Sequence, residues 1–225
     1  MIKAIVCDIE GTTTSLSFVK DTLFPYARKN MESFIRENNQ KNEISALIDD
    51  VKQAMRKPDA SLEEVIAQLI SWIDEDRKIT PLKAIQGHIW QYGYQNGDYY
   101  GHVYQDAYEK LKFWHESGID LYIFSSGSVY AQKLLFGHTR YGDLTALFSG
   151  YFDTNIGTKV DAKSYNAIAE QVKLPSKEIL FLSDIEGELD AAREAGMETV
   201  WLVRDGQLNP QSSHPQVNSF TDITL

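Results

Sequence analysis

With 225 residues, 43% of them hydrophobic and 24% charged, the chain can bury a full core without disulfide or metal staples, as one large domain or a domain with a sizeable insert. Its net charge of -10 argues against nucleic acid or an anionic membrane as partner, since either would be repelled at long range, and any anionic substrate must find local cations. The single cysteine, Cys7, excludes an internal disulfide framework, and no run of about 18 apolar residues offers a membrane span.

No basic segment followed by a long apolar core opens the chain, so no signal peptide is expected and a cytoplasmic location is. The first predicted element is the run Ala4, Ile5, Val6 and Cys7, too apolar to alternate and therefore suited to a parallel strand covered on both faces. Cys7 reads there as a small buried hydrophobe. The strand ends on Asp8 and Glu10, followed by Gly11. Residues two apart in a strand point the same way with Cα atoms roughly 6.6 Å apart, so both carboxylates can address one ligand just beyond the strand's carboxyl end. Gly11 allows a sharp turn at positive φ. An isolated Asp-x-Glu is more often a solvent-facing strand end, and it is the later segments that give this one weight.

After Thr12, Thr13 and Thr14 the spacing predicts a helical insert. Phe18 to about Asn38 reads as helix interrupted near Pro25, which fits best as the start of a new helical turn. Ile44, Leu47, Ile48, Val51 and Met55 form an amphipathic stripe. So do Leu62, Val65, Ile66, Leu69, Ile70 and Ile73, behind a capping box of Ser61 and Glu64. A further helix is expected from Thr80 and Pro81, read as cap and first-turn residue. The aromatic stretch Trp90 to Tyr104 is taken as the hinge or seam where the insert returns, its rings packing rather than stacking on bases.

From Val103 helices and strands alternate, which implies a parallel sheet with right-handed crossovers. A helix with Val103, Ala107, Leu111 and Trp114 on one face ends at Gly118; then come a strand Ile119 to Phe124, the polar Ser125 to Ser128, and a helix through Leu134 and Leu135. Further on are a helix from Tyr165 to Val172, a strand Ile179 to Leu182 ending on Ser183 and Asp184, a helix Glu188 to Ala195, and a strand Thr199 to Val203. The tail from Asn209 is expected to be coil with a short terminal element.

Three strands thus end in polar groups on one sheet edge. Asp8 and Asp184 offer the hard oxygens that a magnesium ion on a phosphate substrate needs, and Glu188 lies where it could hold a metal-bound water. Ser125, Ser126 and Gly127 precede a helix N-terminus, a ready anion site, and Lys159 supplies positive charge.

The order Asp8-x-Glu10-Gly11-Thr12, Ser125 at a strand end, Lys159, and Asp184 with Glu188 resembles the four motifs of the haloacid dehalogenase (HAD)-like hydrolases. More narrowly, DIEGTTTS, YIFSSGSVYAQKLLFGHT, GTKVDAKSY and LFLSDIEGELDAA resemble the acireductone synthase family, the bifunctional enolase-phosphatases of methionine salvage, across positions 8 to 192. Glu10, where most of the superfamily has Asp, is typical of that narrower family. The resemblance implies an α/β fold with a Rossmann-like parallel-sheet core over 1–16 and 102–225 and a helical cap over 17–101 inserted after the first strand. It implies Asp8 as phosphoryl-accepting nucleophile and Glu10 as acid and base. It further implies one Mg2+ per subunit on Asp8, Glu10 (through its carbonyl) and Asp184, with the phosphate on Ser125, Ser126 and Lys159. To act as an acid, a glutamate must be raised by desolvation and nearby negative charge. The implied substrate is a small-molecule phosphate ester, 2,3-diketo-5-methylthiopentyl 1-phosphate, enolised and then dephosphorylated to the acireductone, with its apolar tail under the cap. A self-contained cap requires no partner, so a monomer is expected. Three other readings stand beside it: a simple magnesium phosphatase of the same superfamily; a signalling receiver domain, which is about half as long and lacks the insert; and a catalytically silent interaction module, weakened because every chemical position is kept.

Overall fold

The computed structural model describes all 225 residues. The chain forms two compact units, one of Met1–Leu16 with Tyr100–Leu225 and one of Ser17–Tyr99, so the return falls two residues ahead of the expected 101/102 boundary. It leaves the first unit soon after strand β1 (Ala4–Cys7), all four residues of which are buried.

The inserted unit is helical. A short α1 (Leu16–Phe18) at its edge runs into a π-helical turn, Val19–Leu23, and then into α2 (Phe24–Asn38). Pro25, which has no N–H to donate, falls in the first turn of α2 directly behind that widened turn. Next come α3 (Asn42–Ala54), α4 (Leu62–Asp74) and α5 (Thr80–Asn96). The apolar stripes of these helices close on one another around Met31, Ile35, Ile48, Val51, Leu69 and Ile85, giving the unit its own core. The capping box forms as read: Glu64 N–H donates to Ser61 Oγ and Ser61 N–H to Glu64 Oε2.

Two readings of the insert are corrected. Thr80 is the first helical residue of α5 rather than its cap, which is Ile79 with no side-chain bond. The stretch read as a hinge from Trp90 is helix as far as Asn96. Its aromatics pack as expected, for the Tyr99 ring meets Phe18, Tyr26 and Tyr94 edge-on and its hydroxyl donates to the Trp90 carbonyl. The ring crosses α5 at Gly93, where a Cβ would stand 2.5 Å from Tyr99 Cε1.

The first unit continues with α6 (Gln105–Glu116), β2 (Asp120–Phe124), α7 (Val129–Gly137), β3 (Gly150–Phe152), α8 (Ala162–Val172), β4 (Ile179–Ser183), α9 (Glu186–Glu194), β5 (Glu198–Leu202) and β6 (Gln216–Val217). Its sheet is parallel throughout, in the order β3-β2-β1-β4-β5-β6. Ala4 pairs with Asp120 on one side and Ile179 on the other, so β1 is central and the strand order reverses there, where α/β sheets bind ligands. Ala4 and Val6 join Phe124, Phe181, Tyr165 and Leu189 in one core layer; Ile5 and Cys7, also buried, alternate to the opposite face. β3 and β6 escaped the sequence reading because strands of three and two residues are too short to show a period. The tail read as coil supplies β6 and, as its short terminal element, a 3-10 turn over Phe220–Asp222. α9 begins at Glu186, which places Glu188 in its first turn. No helix is long and apolar enough to cross a membrane.

Candidate active site

Because the sheet is parallel, the carboxyl ends of β1, β2, β4 and β5 share one edge. Asp8 follows β1 and is buried; its N–H donates to the Leu182 carbonyl of β4 at 2.9 Å. The chain then turns back on itself. Gly11 takes φ +76°, Gly11 N–H donates to the Thr14 carbonyl (2.7 Å), and Thr14 N–H returns to the Ile9 carbonyl (2.9 Å). Thr13 Oγ1 donates to the Asp8 carbonyl at 3.1 Å. Glu10, between Asp8 and the turn, is exposed.

Lys159, in the loop between β3 and α8, is only 8% exposed. Its Nζ lies 2.5 Å from Asp8 Oδ1 and 2.6 Å from Glu188 Oε2, and its carbonyl accepts from the buried Tyr165 hydroxyl at 2.7 Å. Burial pulls the ammonium toward neutrality, but the charges of Asp8 and Glu188 outweigh it and hold the Lys159 pKa above the ordinary lysine value. Glu188 is raised, first by burial and then by Asp8, against the pull of Lys159 and of Ser183, whose Oγ donates to it at 2.8 Å. Glu188 is thus an ion-pair partner of Lys159, a contact the sequence reading did not include.

Asp184 follows β4, its carbonyl accepting from Trp201 Nε1 at 2.9 Å. Its carboxyl is pushed up to about 7, first by burial and then by the negative charge of Asp8. Its Oδ1 is buried without a hydrogen-bond partner. Three carboxyl groups, Asp8, Asp184 and Glu188, thus gather around a single cation, Lys159, which is ion-paired with two of them. Cys7 is buried beside Asp8, and burial raises its thiol far out of the nucleophilic range, in keeping with a packing role.

Ser125 is buried after β2, its N–H donating to the Phe152 carbonyl and its Oγ accepting from Gly127 N–H at 3.1 Å. Ser126 follows it and is exposed. The cap of α7 is Ser128, which takes the Ala131 N–H, while Asp153 takes the Val129 N–H. Two of the N–H groups expected to face an anion are therefore already bonded.

A family model described as haloacid dehalogenase-like hydrolase matches residues 2–196. "Enolase-phosphatase E1" of Methylococcus capsulatus is 61% identical over 223 residues, 99% of this chain and 98% of that protein. "Enolase-phosphatase E1" of a Sulfurihydrogenibium species is 55% identical over 227 residues, 100% of this chain and 99% of that protein. The chain belongs to the enolase-phosphatase E1 family of HAD-like hydrolases. Among solved structures, the UTR4 protein of Saccharomyces cerevisiae superposes with a TM-score of 0.84 at 31% identity, covering 99% of this chain and 100% of that one.

Two residues that matter to this enolase-phosphatase site escaped the sequence reading. Gln132, buried in α7, donates from Nε2 to the Gly127 carbonyl (2.8 Å) and the Phe152 carbonyl (2.9 Å), which ties the serine loop to β3. Arg204, two residues past β5, reaches the turn after β1. The available signal for both was a polar residue at a place the pattern makes interior: mid-helix for Gln132, a fourth strand end for Arg204.

A magnesium ion fits the donors present in this family site. The unpartnered Asp184 oxygen, close to the Asp8 carboxylate, is a hard donor of the kind such an ion takes. No group of three or more His, Cys, Asp or Glu side chains is arranged to hold a metal, so water and a backbone carbonyl would complete the shell, as is usual for Mg2+.

Proposed function

We propose that this chain is a magnesium-dependent enolase-phosphatase that enolises 2,3-diketo-5-methylthiopentyl 1-phosphate and hydrolyses its phosphate, giving the acireductone 1,2-dihydroxy-3-keto-5-methylthiopentene in methionine salvage. The observation that carries the reading is full-length similarity to enolase-phosphatases joined to an Asp8 carboxylate ion-paired with buried Lys159 at the central strand end.

Asp8 attacks phosphorus and the bond to the leaving ester oxygen breaks, Glu10 giving that oxygen a proton. Water then attacks the aspartyl phosphate and yields its proton to Glu10, releasing inorganic phosphate and restoring Asp8. Ser125 and Ser126 hold the phosphate, and Lys159 neutralises its equatorial oxygens, the main need of phosphoryl transfer. Asp8, Asp184 and the Glu10 carbonyl would hold one magnesium ion, which when bound adds positive charge against the phosphoryl group.

The test supplies the diketo phosphate with magnesium and follows enol absorbance and phosphate release together. Both signals are expected. Phosphate release without the enol would reduce the protein to a simple phosphatase.

A further inference from the structure

The turn that carries Glu10 is gripped from outside by one side chain. Arg204 donates from Nε (3.1 Å) and Nη2 (2.8 Å) to a single acceptor, the carbonyl of Thr12. Its third arm, Nη1, donates to Asp106 Oδ2 at 2.5 Å. That same oxygen also accepts from Ser219 Oγ and Phe220 N–H, both at 2.8 Å. The guanidinium lies 4.2 Å from the Tyr104 ring centroid and 5.1 Å from that of Phe220, while Tyr104 N–H donates to the Thr13 carbonyl. The arginine is thus fixed in plane by two rings and in direction by a carboxylate, with its other two donors spent on one backbone atom.

We propose that Arg204 is a positioning residue for the proton-transfer steps, setting where Glu10 stands by holding the Thr12 carbonyl. The inference rests on the reading of Glu10 as acid and base. The turn from Ile9 to Thr14 is closed by its own backbone bonds, so it moves as a piece, and a hold at Thr12 is transmitted to Glu10 two residues away. Asp8 accepts from Thr13 Oγ1 of that turn, but it has two anchors of its own, its N–H on Leu182 and its carboxylate on Lys159. Releasing Arg204 therefore acts first on Glu10, while those two anchors keep the Asp8 carboxylate in place.

The test is a double-mutant cycle on the magnesium-loaded full chain, with the diketo phosphate as substrate and phosphate release as readout. R204A is expected to lower kcat by about 100-fold, the usual consequence of a displaced catalytic group, with KM changed by less than about threefold. R204K keeps the charge but not the fork and should stay at least about tenfold below the parent. In an E10Q background, R204A should cost less than about threefold more, since residues acting through one step do not multiply. D106N, which frees the arginine without removing it, should show the same pattern at about five- to tenfold and serves if R204A does not fold. A multiplicative double mutant, or an R204K enzyme at parental kcat, would overturn the proposal. If E10Q alone leaves kcat unchanged, the acid-base reading of Glu10 fails instead, and the proposal falls with it.

Discussion

No Cβ fits at Gly11: one built there would lie 2.2 Å from Asp184 Oδ2. The turn after β1 and the loop after β4 meet through that gap. With φ at +76°, an L-side chain would also carry about 1–2 kcal/mol of backbone strain. Gly11→Ala is therefore expected to lower stability by at least that amount and to displace the Asp184 carboxylate. A denaturant titration and a magnesium-dependent thermal shift read the two effects, and a variant with parental magnesium response would show that Asp184 does not depend on the gap.

Lys159 is the only cation bonded to the Asp8 carboxylate, and it holds Glu188 as well. Lys159→Ala leaves the buried Asp8 and the half-buried Glu188 carboxylates without their shared counter-charge. Breaking a buried ion pair in this way costs about 3–5 kcal/mol, so the unfolding midpoint should fall clearly. Loss of a preorganised cation at the phosphate should also lower kcat by about 100- to 1,000-fold. Steady-state kinetics at saturating substrate check the second effect.

Asp8→Asn should abolish phosphate release, because an amide oxygen is a poor nucleophile and cannot form the acyl phosphate. It also removes the charge that helps raise Asp184. The Asp184 carboxyl should then titrate below about 7, which carbon-detected NMR of the metal-free protein would follow. Full activity in Asp8→Asn would remove Asp8 from the nucleophile's role.

The same carboxyl sets a pH dependence. In the metal-free protein Asp184 keeps its proton up to about pH 7, whereas in the unfolded chain it ionises near the ordinary aspartate value. Between about pH 4 and 7 the folded state thus binds more protons, and stability falls as pH rises through that window. Magnesium reverses the sign, since the ion favours the ionised carboxylate and must displace the proton. Magnesium affinity is expected to rise from pH 6 to pH 8, with about one proton released per ion at pH 6. Calorimetry in two buffers of different ionisation enthalpy measures the release.

What could be read from the linear chain was whatever a short segment encodes by itself. An apolar run ending in Asp8, another ending in Ser125 and a third ending in Asp184 each declare a buried strand and its polar end, and the amphipathic stripes from Ile44 to Ile73 declare the helical insert. The partnerships among these residues were not legible, because they join segments far apart in sequence. Lys159 meets Asp8 across 151 positions and Arg204 meets Thr12 across 192. Nothing local distinguishes Lys159 from a solvated lysine, or Glu188 from any carboxylate in the first turn of a helix. Only the parallel sheet, by placing β1 between β2 and β4, decides that these charges are buried together and must neutralise one another. The sequence by itself determined which chemical groups stand at the strand ends; the tertiary structure decided which are paired and which, like Asp184 Oδ1, are left without a partner, since pairing depends on burial and on distances that only the assembled sheet sets.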